Sequence, residues 1–203
     1  MTALSKSELD FLKQHKLELN DFLDANSSTL SNWKELGKRA GKRFAIRDSC
    51  TKNLGHLFVT SSGHCIQCDV SRIAFRIRDT APGYVYIAIS VTKKIVKVGT
   101  STDVERRRKQ ARLEGYGGAS DWQELHFVEV SEAGRLERET HKMLAKYAVS
   151  GRYKNDGKMQ VAREIFNCSF SQAQSALIEA TRKNNMKLLS EWTDRNWRRL
   201  SGE

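Results

Sequence analysis

The stretch GYVYIAISVTKKIVKVGTSTDVERRR, residues 83–108, decides how the rest of the chain is organised. In its first part, branched aliphatic residues alternate with Tyr84 and Tyr86, which predicts a strand with one apolar face and one tyrosine face. A short turn then leads to a second strand, in which two valines alternate with Lys97. The pattern therefore predicts a hairpin that buries its aliphatic face and gathers the tyrosines and the lysine on the other.

A helix is expected to follow this hairpin. Thr102 and Glu105 have the spacing of a capping box, in which each side chain bonds the backbone N–H of the other residue. Arg107 then falls on the same side of the helix as Val104 and Ala111. An arginine in that position would lie close to the tyrosine face of the hairpin.

These three elements together resemble the GIY-YIG nuclease family. In that family a G-x-Y strand precedes a (Y/K)-(V/I)-G strand, and an arginine lies eight residues past the second glycine. Gly83-Tyr-Val-Tyr86 is similar to the first motif with one additional residue, and Lys97-Val-Gly99 to the second. Arg107 lies eight residues after that second glycine. The lysine resembles the phage-type branch of the family, and the resemblance covers roughly residues 83–170, less than half of the chain.

The resemblance implies an α+β fold, with a small antiparallel sheet flanked by helices, and hydrolysis of a phosphodiester bond. It assigns the general base to Tyr86, although the additional residue in the motif leaves Tyr84 as an alternative. A phenol has a pKa of about 10 and is a poor base at neutral pH, so we expect Lys97 to favour the phenolate by its charge. Arg107 would hold the scissile phosphate through its fork of donors.

A second helix is predicted after Ser131, and it carries the candidate metal ligand. Glu137 lies at the edge of the apolar stripe of that helix and shares a side with His141, whereas Glu139 points to the charged outer side. In the family a glutamate on this helix binds a divalent cation, and in the phage-type branch a histidine often follows it by four residues. The resemblance thus gives Glu137 the role of holding one Mg²⁺ or Mn²⁺ and adds His141 to the site. Without the upstream motifs, the same charges would be interpreted as an ordinary solvated helix face.

Three shorter patterns complete this half of the chain. Residues 125–130 predict a strand with Leu125 and Phe127 on one face and two valines on the other. Residues 151–160 are predicted to form a basic polar loop. Glu164 begins an E-x-F segment that resembles the end of the family's domain, which makes it a lesser site candidate.

Four residues upstream of the hairpin have the spacing of a structural zinc site. Cys65 and Cys68 form a CxxC knuckle, and Cys50 and His56 precede it in a C-x5-H arrangement, with a short hairpin predicted between His56 and Cys65. Three thiolates and one imidazole at a closed tetrahedral centre suit Zn²⁺, and the segment resembles the small zinc ribbons that accompany nuclease modules. His64 is the alternative fourth ligand. The competing interpretation is three reduced thiols with unrelated histidines.

The composition favours a globular protein that binds a polyanion. The chain has 203 residues, of which 29% are charged and 39% hydrophobic, and its formal net charge is +11. Such an excess of cations points to nucleic acid, although a basic surface can also serve solubility alone. No apolar run approaches the ~20 residues that a membrane span needs, so we expect a cytoplasmic protein of a bacterial or phage-infected cell. Six cations are expected to contact DNA: Arg76, Arg78, Arg106, Arg108, Lys109 and Lys154.

The sequence therefore predicts four segments and one leading function. The segments are a helical N-terminal region at 1–47, a zinc-binding module at 48–80, the nuclease-like domain at 81–170, and a helix at 171–203 that runs through Trp197. The leading function is a DNA endonuclease of phage biology or restriction. A DNA-binding protein that does not cut, and a nuclease directed at RNA, are the alternatives. One catalytic centre cuts one strand, so a double-strand break would require a homodimer or two binding events.

Overall fold

The computed structural model describes residues 3–26, 30–48, 50–103, 106–107, 109, 115–155 and 157–203. The chain divides into two compact units, Met1–Arg78 and Asp79–Glu203.

The first unit combines helices with a small mixed sheet. In that sheet β2 lies in the middle, parallel to β1 and antiparallel to β3. In its core the ring of Phe22 contacts the rings of Phe44 and Phe58, and Leu12 is buried in the same cluster. The first two helices lie in the predicted helical region, and the third strand lies in the predicted hairpin between His56 and Cys65. The first two strands and the third helix were not predicted, and strands of three residues are too short to display an alternating pattern. The elements are α1 (Lys6–Gln14), β1 (Phe22–Asp24), α2 (Leu30–Arg39), β2 (Phe44–Ile46), β3 (Phe58–Thr60) and α3 (Ser71–Thr80), whose last two residues belong to the second unit.

The second unit is built on a six-stranded antiparallel sheet with the order β7-β8-β5-β4-β6-β9. The α+β class is confirmed, and the sheet is larger than the small one expected. Its strands are β4 (Gly83–Ser90), β5 (Ile95–Ser101), β6 (Trp122–Val130), β7 (Ala148–Asn155), β8 (Lys158–Phe166) and β9 (Leu188–Thr193). The helices described here are α4 (Ala133–Met143), α5 (Phe170–Lys183) and the short α6 (Trp197–Ser201).

The main core of this unit lies on one face of the sheet. Val85 and Ile87 of β4 and Val98 of β5 are fully buried there, against Leu136 of α4 and Leu177 of α5. The predicted alternation of the hairpin is therefore confirmed. Its aliphatic residues face the two helices, and the tyrosine and lysine residues are left on the opposite face.

Two predictions for the middle of this unit were wrong. Residues 151–160 do not form a loop but belong to the β7–β8 hairpin, in which Tyr153 pairs with Gln160. Strand β6 contains a bulge, since Ile87 pairs with His126 while the next residue of β4 pairs with Glu124. The additional residue, Leu125, therefore turns to the main core instead of sharing a face with Phe127.

The C-terminal region is only partly helical. The helix expected from residue 171 is confirmed as α5, but it ends at Lys183. The continuation of that helix through Trp197 was wrong, because Leu188–Thr193 instead forms β9 on the free edge of β6. Because this strand adds to the edge of the sheet, it enlarges both the tyrosine face and the core face.

Candidate active site and metal centre

Tyr86 is held against the backbone of the neighbouring strand. It pairs with Gly99 across the β4–β5 hairpin and is only 2% exposed. A Cβ atom placed on Gly99 would lie 2.7 Å from the Tyr86 hydroxyl and 2.8 Å from its Cζ atom, and 3.2 Å from Cε of Lys97. The tyrosine ring therefore occupies the space that a side chain at Gly99 would need.

Arg107 reaches this tyrosine from the helical turn that follows β5. Asp103 starts that turn, because its side chain accepts from the backbone N–H of Arg106 at 3.0 Å and its carbonyl from that of Arg107 at 3.1 Å. The cap is thus Asp103 and not the predicted Thr102, and Glu105 lies outside the described residues. The Arg107 side chain hydrogen-bonds the Tyr86 hydroxyl, which brings the two candidate residues together.

Burial controls the protonation of Tyr86. It raises the pKa of this phenol well above its usual value, and the charge and hydrogen bond of Arg107 oppose the rise. Lys97 was expected to favour the phenolate, but its Nζ atom lies 6.0 Å from the centre of the Tyr86 ring. The cation in hydrogen-bond contact with the phenol is Arg107.

Lys97 is a buried ammonium group with few polar contacts. The residue is 1% exposed, and its Nζ atom lies 3.5 Å from the centre of the Tyr116 ring and 3.3 Å from Oε2 of Glu164. The contact with the carboxylate is close enough for an ion pair but poorly directed for a hydrogen bond, and no other described residue gives Nζ a well-directed one. Burial lowers the pKa of Lys97, and Glu164 opposes that effect.

Tyr116, in a glycine-rich segment, was missed by the sequence analysis. Its hydroxyl donates to Oε2 of Glu164 at 3.3 Å, so the two residues enclose the Lys97 ammonium together. The loop comes this close because Gly151 on β7 lies directly against Gly117, where a Cβ would be 2.5 Å from the Gly117 carbonyl oxygen. The glycines were the available signal, since a close approach of two backbones requires them.

Glu137 and His141 lie on α4, which packs on the core face of the sheet, and both contact β5. Oε2 of Glu137 accepts from the Thr100 hydroxyl at 3.4 Å, and the carboxylate acts electrostatically on Lys97. The Nε2 atom of His141 donates to the Val98 carbonyl at 2.9 Å, which leaves Nδ1 for any other partner, and burial lowers the pKa of this imidazole. Glu139 lies on the outer side, where Oε1 is 2.9 Å from Nζ of Lys142.

Tyr84 lies on the tyrosine face but away from this cluster. Its ring meets the edge of Phe127, with the ring centres 5.7 Å apart, and the side chain is half-buried. The structure thus brings Tyr86, Lys97, Arg107 and Glu137 into one electrostatic cluster. Tyr84 stands beside that cluster.

The cations predicted to contact DNA are distributed over both units. Arg106, Lys109 and Lys154 are exposed in the second unit, with Lys154 on the β7–β8 hairpin. In the first unit Arg78 is exposed, whereas Arg76 is half-buried and its Nε atom donates to the Arg43 carbonyl. Arg108 lies outside the described residues.

The four predicted zinc ligands converge in the first unit. The ligand atoms of Cys50, His56, Cys65 and Cys68 all lie within 4.8 Å of one another. Nδ1 of His56 is 3.3 Å from Sγ of Cys68 and 3.6 Å from Sγ of Cys65, and the Sγ atoms of Cys50 and Cys68 are 3.6 Å apart. Ligands at the usual zinc distances and a tetrahedral angle lie about 3.5–3.8 Å apart, so the cluster could hold Zn²⁺.

Local hydrogen bonds hold the halves of this cluster together. The predicted hairpin is confirmed, because Thr60 N–H donates to the His64 carbonyl at 2.9 Å and Val59 is bridged to Cys65. Gln67 lies between the two cysteines of the knuckle. Its Oε1 atom accepts from the backbone N–H groups of Leu57 and Phe58, at 2.8 and 3.0 Å.

The pKa values of two of the thiols are shifted in opposite directions. Desolvation tends to raise the pKa of Cys50, but the backbone N–H groups of Lys52 and Asn53 lower it overall. The hydrogen bond with Cys50 and desolvation raise the pKa of Cys68 to about 11. A bound cation would favour loss of the thiol protons, because it stabilises all three thiolates at once.

The comparisons with known proteins concern the second unit. Residues 83–181 match the T5orf172 domain, which is phage-associated and related to nuclease-like folds. The match begins at the first residue of β4 and ends within α5, so that β9 lies outside it. Neither a curated protein nor a solved structure matches the chain. Among the helices of the described residues, none combines the length and apolar character that crossing a bilayer requires.

Proposed function

We propose that the chain is a metal-dependent DNA endonuclease of the GIY-YIG type, acting in restriction or phage biology. The observation that supports this most is the electrostatic cluster that a phenol, a guanidinium, an ammonium and a carboxylate form around the β4–β5 hairpin. A match to a phage-associated, nuclease-like domain over the same residues agrees with it.

In this proposal each requirement of phosphodiester hydrolysis has a residue. Arg107 binds the scissile phosphate through the planar fork of its guanidinium and stabilises the charge that develops there. Tyr86 acts as the phenolate, which Arg107 stabilises, and it becomes the neutral phenol when it takes the proton of the attacking water. The Lys97 ammonium supplies a fixed positive charge in a site of low dielectric, where its effect on an anion is greatest.

Glu137 would hold the divalent cation. Its carboxylate and the Thr100 hydroxyl are hard oxygen donors, which suit Mg²⁺ or Mn²⁺, and one or two protein carboxylates are usual for Mg²⁺. When bound, the cation would neutralise the charge on the leaving oxygen. The half-buried position of Glu137 keeps it accessible to such an ion.

One observation favours a second candidate, a DNA-binding protein that does not cut. A base must reach the water that it activates, and Tyr86 is only 2% exposed. In that candidate the same cations bind the backbone of DNA without hydrolysis.

Supercoiled plasmid incubated with Mg²⁺, Mn²⁺ or EDTA decides between the two. The proposed nuclease nicks the plasmid with metal and not with EDTA. DNA binding without any product, on unmodified and modified phage DNA alike, would establish the second candidate. A linear product that appears before nicked plasmid accumulates would indicate a homodimer.

Two glutamates of α4 provide matched variants for this assay. Glu137→Gln should abolish cleavage and leave DNA binding intact or tighter, because it removes a metal ligand and one negative charge. Glu139→Gln should cut normally, since an ion pair on the outer side of the helix contributes little. The reverse pattern would contradict the site described above.

A further inference from the structure

An aromatic row crosses the tyrosine face of the sheet and ends at its edge. Tyr86 of β4 pairs with Phe127 of β6, and Phe127 pairs with Trp192 of β9. The rings of Phe127 and Trp192 are stacked, with centres 5.2 Å apart and planes 20° apart. With neighbouring strands about 4.8 Å apart, the row extends roughly 10 Å from the candidate catalytic residue to the edge strand.

Trp192 packs on Phe127 with one part of its surface and leaves much of the rest exposed. It remains 43% exposed, and it lies outside the buried clusters that the described residues form. The helices α4 and α5 cover the other face of the sheet. An exposed tryptophan that continues a row of stacked rings offers a flat aromatic surface to a ligand.

The charges around the row select the type of ligand. Glu129 lies two residues from Phe127 on the same face, pairs with Tyr84, and accepts from the Ser190 hydroxyl at 2.9 Å. A carboxylate there repels a phosphate but can accept from the amino group of a base. Exposed cations, Lys187 and Arg195, flank β9 on either side in the sequence, where they can contact the backbone of a bound strand.

We propose that the Phe127–Trp192 end of the row is a stacking site for an unpaired nucleobase, on the nucleotide next to the phosphate held by Arg107. This inference rests on the proposed function, since it gives the nuclease a substrate class: nucleic acid with at least one unpaired base at the cleavage position. Every base has a flat π-face, so a tryptophan binds it without requiring a sequence. The outer end of the row is supplied by β9, which lies outside the residues that match the T5orf172 domain.

Binding of a single-stranded oligonucleotide in EDTA tests the site without relying on cleavage. Stacking on an aromatic side chain accounts for about a 5- to 140-fold difference in affinity. Trp192→Leu, which retains apolar contact with Phe127 but no flat ring, should weaken binding by that factor, whereas Trp192→Tyr should retain most of it. Leu189→Ala is the matched control, because Leu189 is an exposed apolar residue of the same strand and should not change the affinity. Thermal melting verifies that the variants are folded.

A second binding experiment tests the stacking site independently of the nuclease function. Oligonucleotides are prepared in which one nucleotide at a time is replaced by an abasic one. The wild-type protein should bind one of them more weakly than the intact oligonucleotide, and the Trp192→Leu variant should bind that one and the intact oligonucleotide equally. If Trp192→Leu binds like wild type, or if only its self-association changes, the stacking site is refuted whether or not the plasmid is cut. If base-dependent binding through Trp192 occurs and no plasmid is cut, the stacking site stands and the nuclease function fails.

Discussion

Replacing Gly99 with alanine tests the geometry of the site most directly. The new methyl group would lie 2.7 Å from the Tyr86 hydroxyl and 2.8 Å from its Cζ atom, distances that real Cβ atoms almost never show. The ring cannot move freely, because Tyr86 is buried on a central strand. Alanine in place of glycine in a strand normally stabilises by about 0.5–1 kcal/mol, whereas overpacking a core costs about 1–3 kcal/mol, so the net effect should be a loss of stability.

Melting and cleavage measure the two consequences. In a chain of this size, each kcal/mol lowers the melting temperature by about 2–4 °C. Cleavage should fall much further than stability, because the displaced phenol no longer meets Arg107. A double variant with Tyr86→Leu provides the control: leucine leaves space for the methyl group, so the two substitutions should be less destabilising together than the sum of each alone. A Gly99→Ala protein that melts and cuts like wild type would show that Tyr86 does not occupy this space.

Three further predictions concern charge and metal. Lys97→Met should raise the melting temperature while abolishing cleavage, because an apolar side chain of similar shape replaces a buried ammonium. The carboxylate left behind, Glu164, is 40% exposed and can be solvated. A lower melting temperature would contradict the idea that burying this ammonium is unfavourable. Protein purified without chelator should contain about one zinc per chain, and Cys65→Ser should lose the zinc and unfold the first unit; metal analysis that finds no zinc in the wild type would refute the site. The pKa of Tyr86 is raised, so the phenol is neutral at neutral pH, and the fraction of reactive phenolate increases about tenfold per pH unit below that pKa. The cleavage rate should therefore rise with pH in the same way. A Tyr86→Phe variant whose cleavage rate rises equally with pH would exclude the phenol as the base.

The parts of the fold that the sequence predicted are those with a strict local period. The alternation around Tyr86 and Lys97 specifies which face of each strand is buried, and the structure follows it. The spacing of Cys65 and Cys68 is equally local, because two residues between the thiols bring both to one ion. In each case a few neighbouring residues determine the geometry.

Other features depend on contacts that a local pattern does not contain. The β7–β8 hairpin has largely exposed residues over 151–160, so no apolar alternation distinguishes it from a loop. The bulge at Leu125 changes which residues are buried without altering the composition of β6. Residues 188–193 have an apolar content that suits either a helix or a strand, and only pairing with the free edge of β6 decides between them.

The environment of Lys97 shows how these distant contacts produce the site. The hairpin alone would leave this ammonium exposed, and an exposed lysine titrates normally and is well hydrated. It becomes buried because Tyr116 comes from the loop before β6 and Glu164 from β8, two segments that the hairpin motifs do not include. Enclosing a charge between one carboxylate and one aromatic ring is unfavourable for stability, since neither replaces the hydration of the ammonium fully. The proposed function would account for a fold that nevertheless assembles three segments around this charge, since the backbone of a nucleic acid would supply an anion for it.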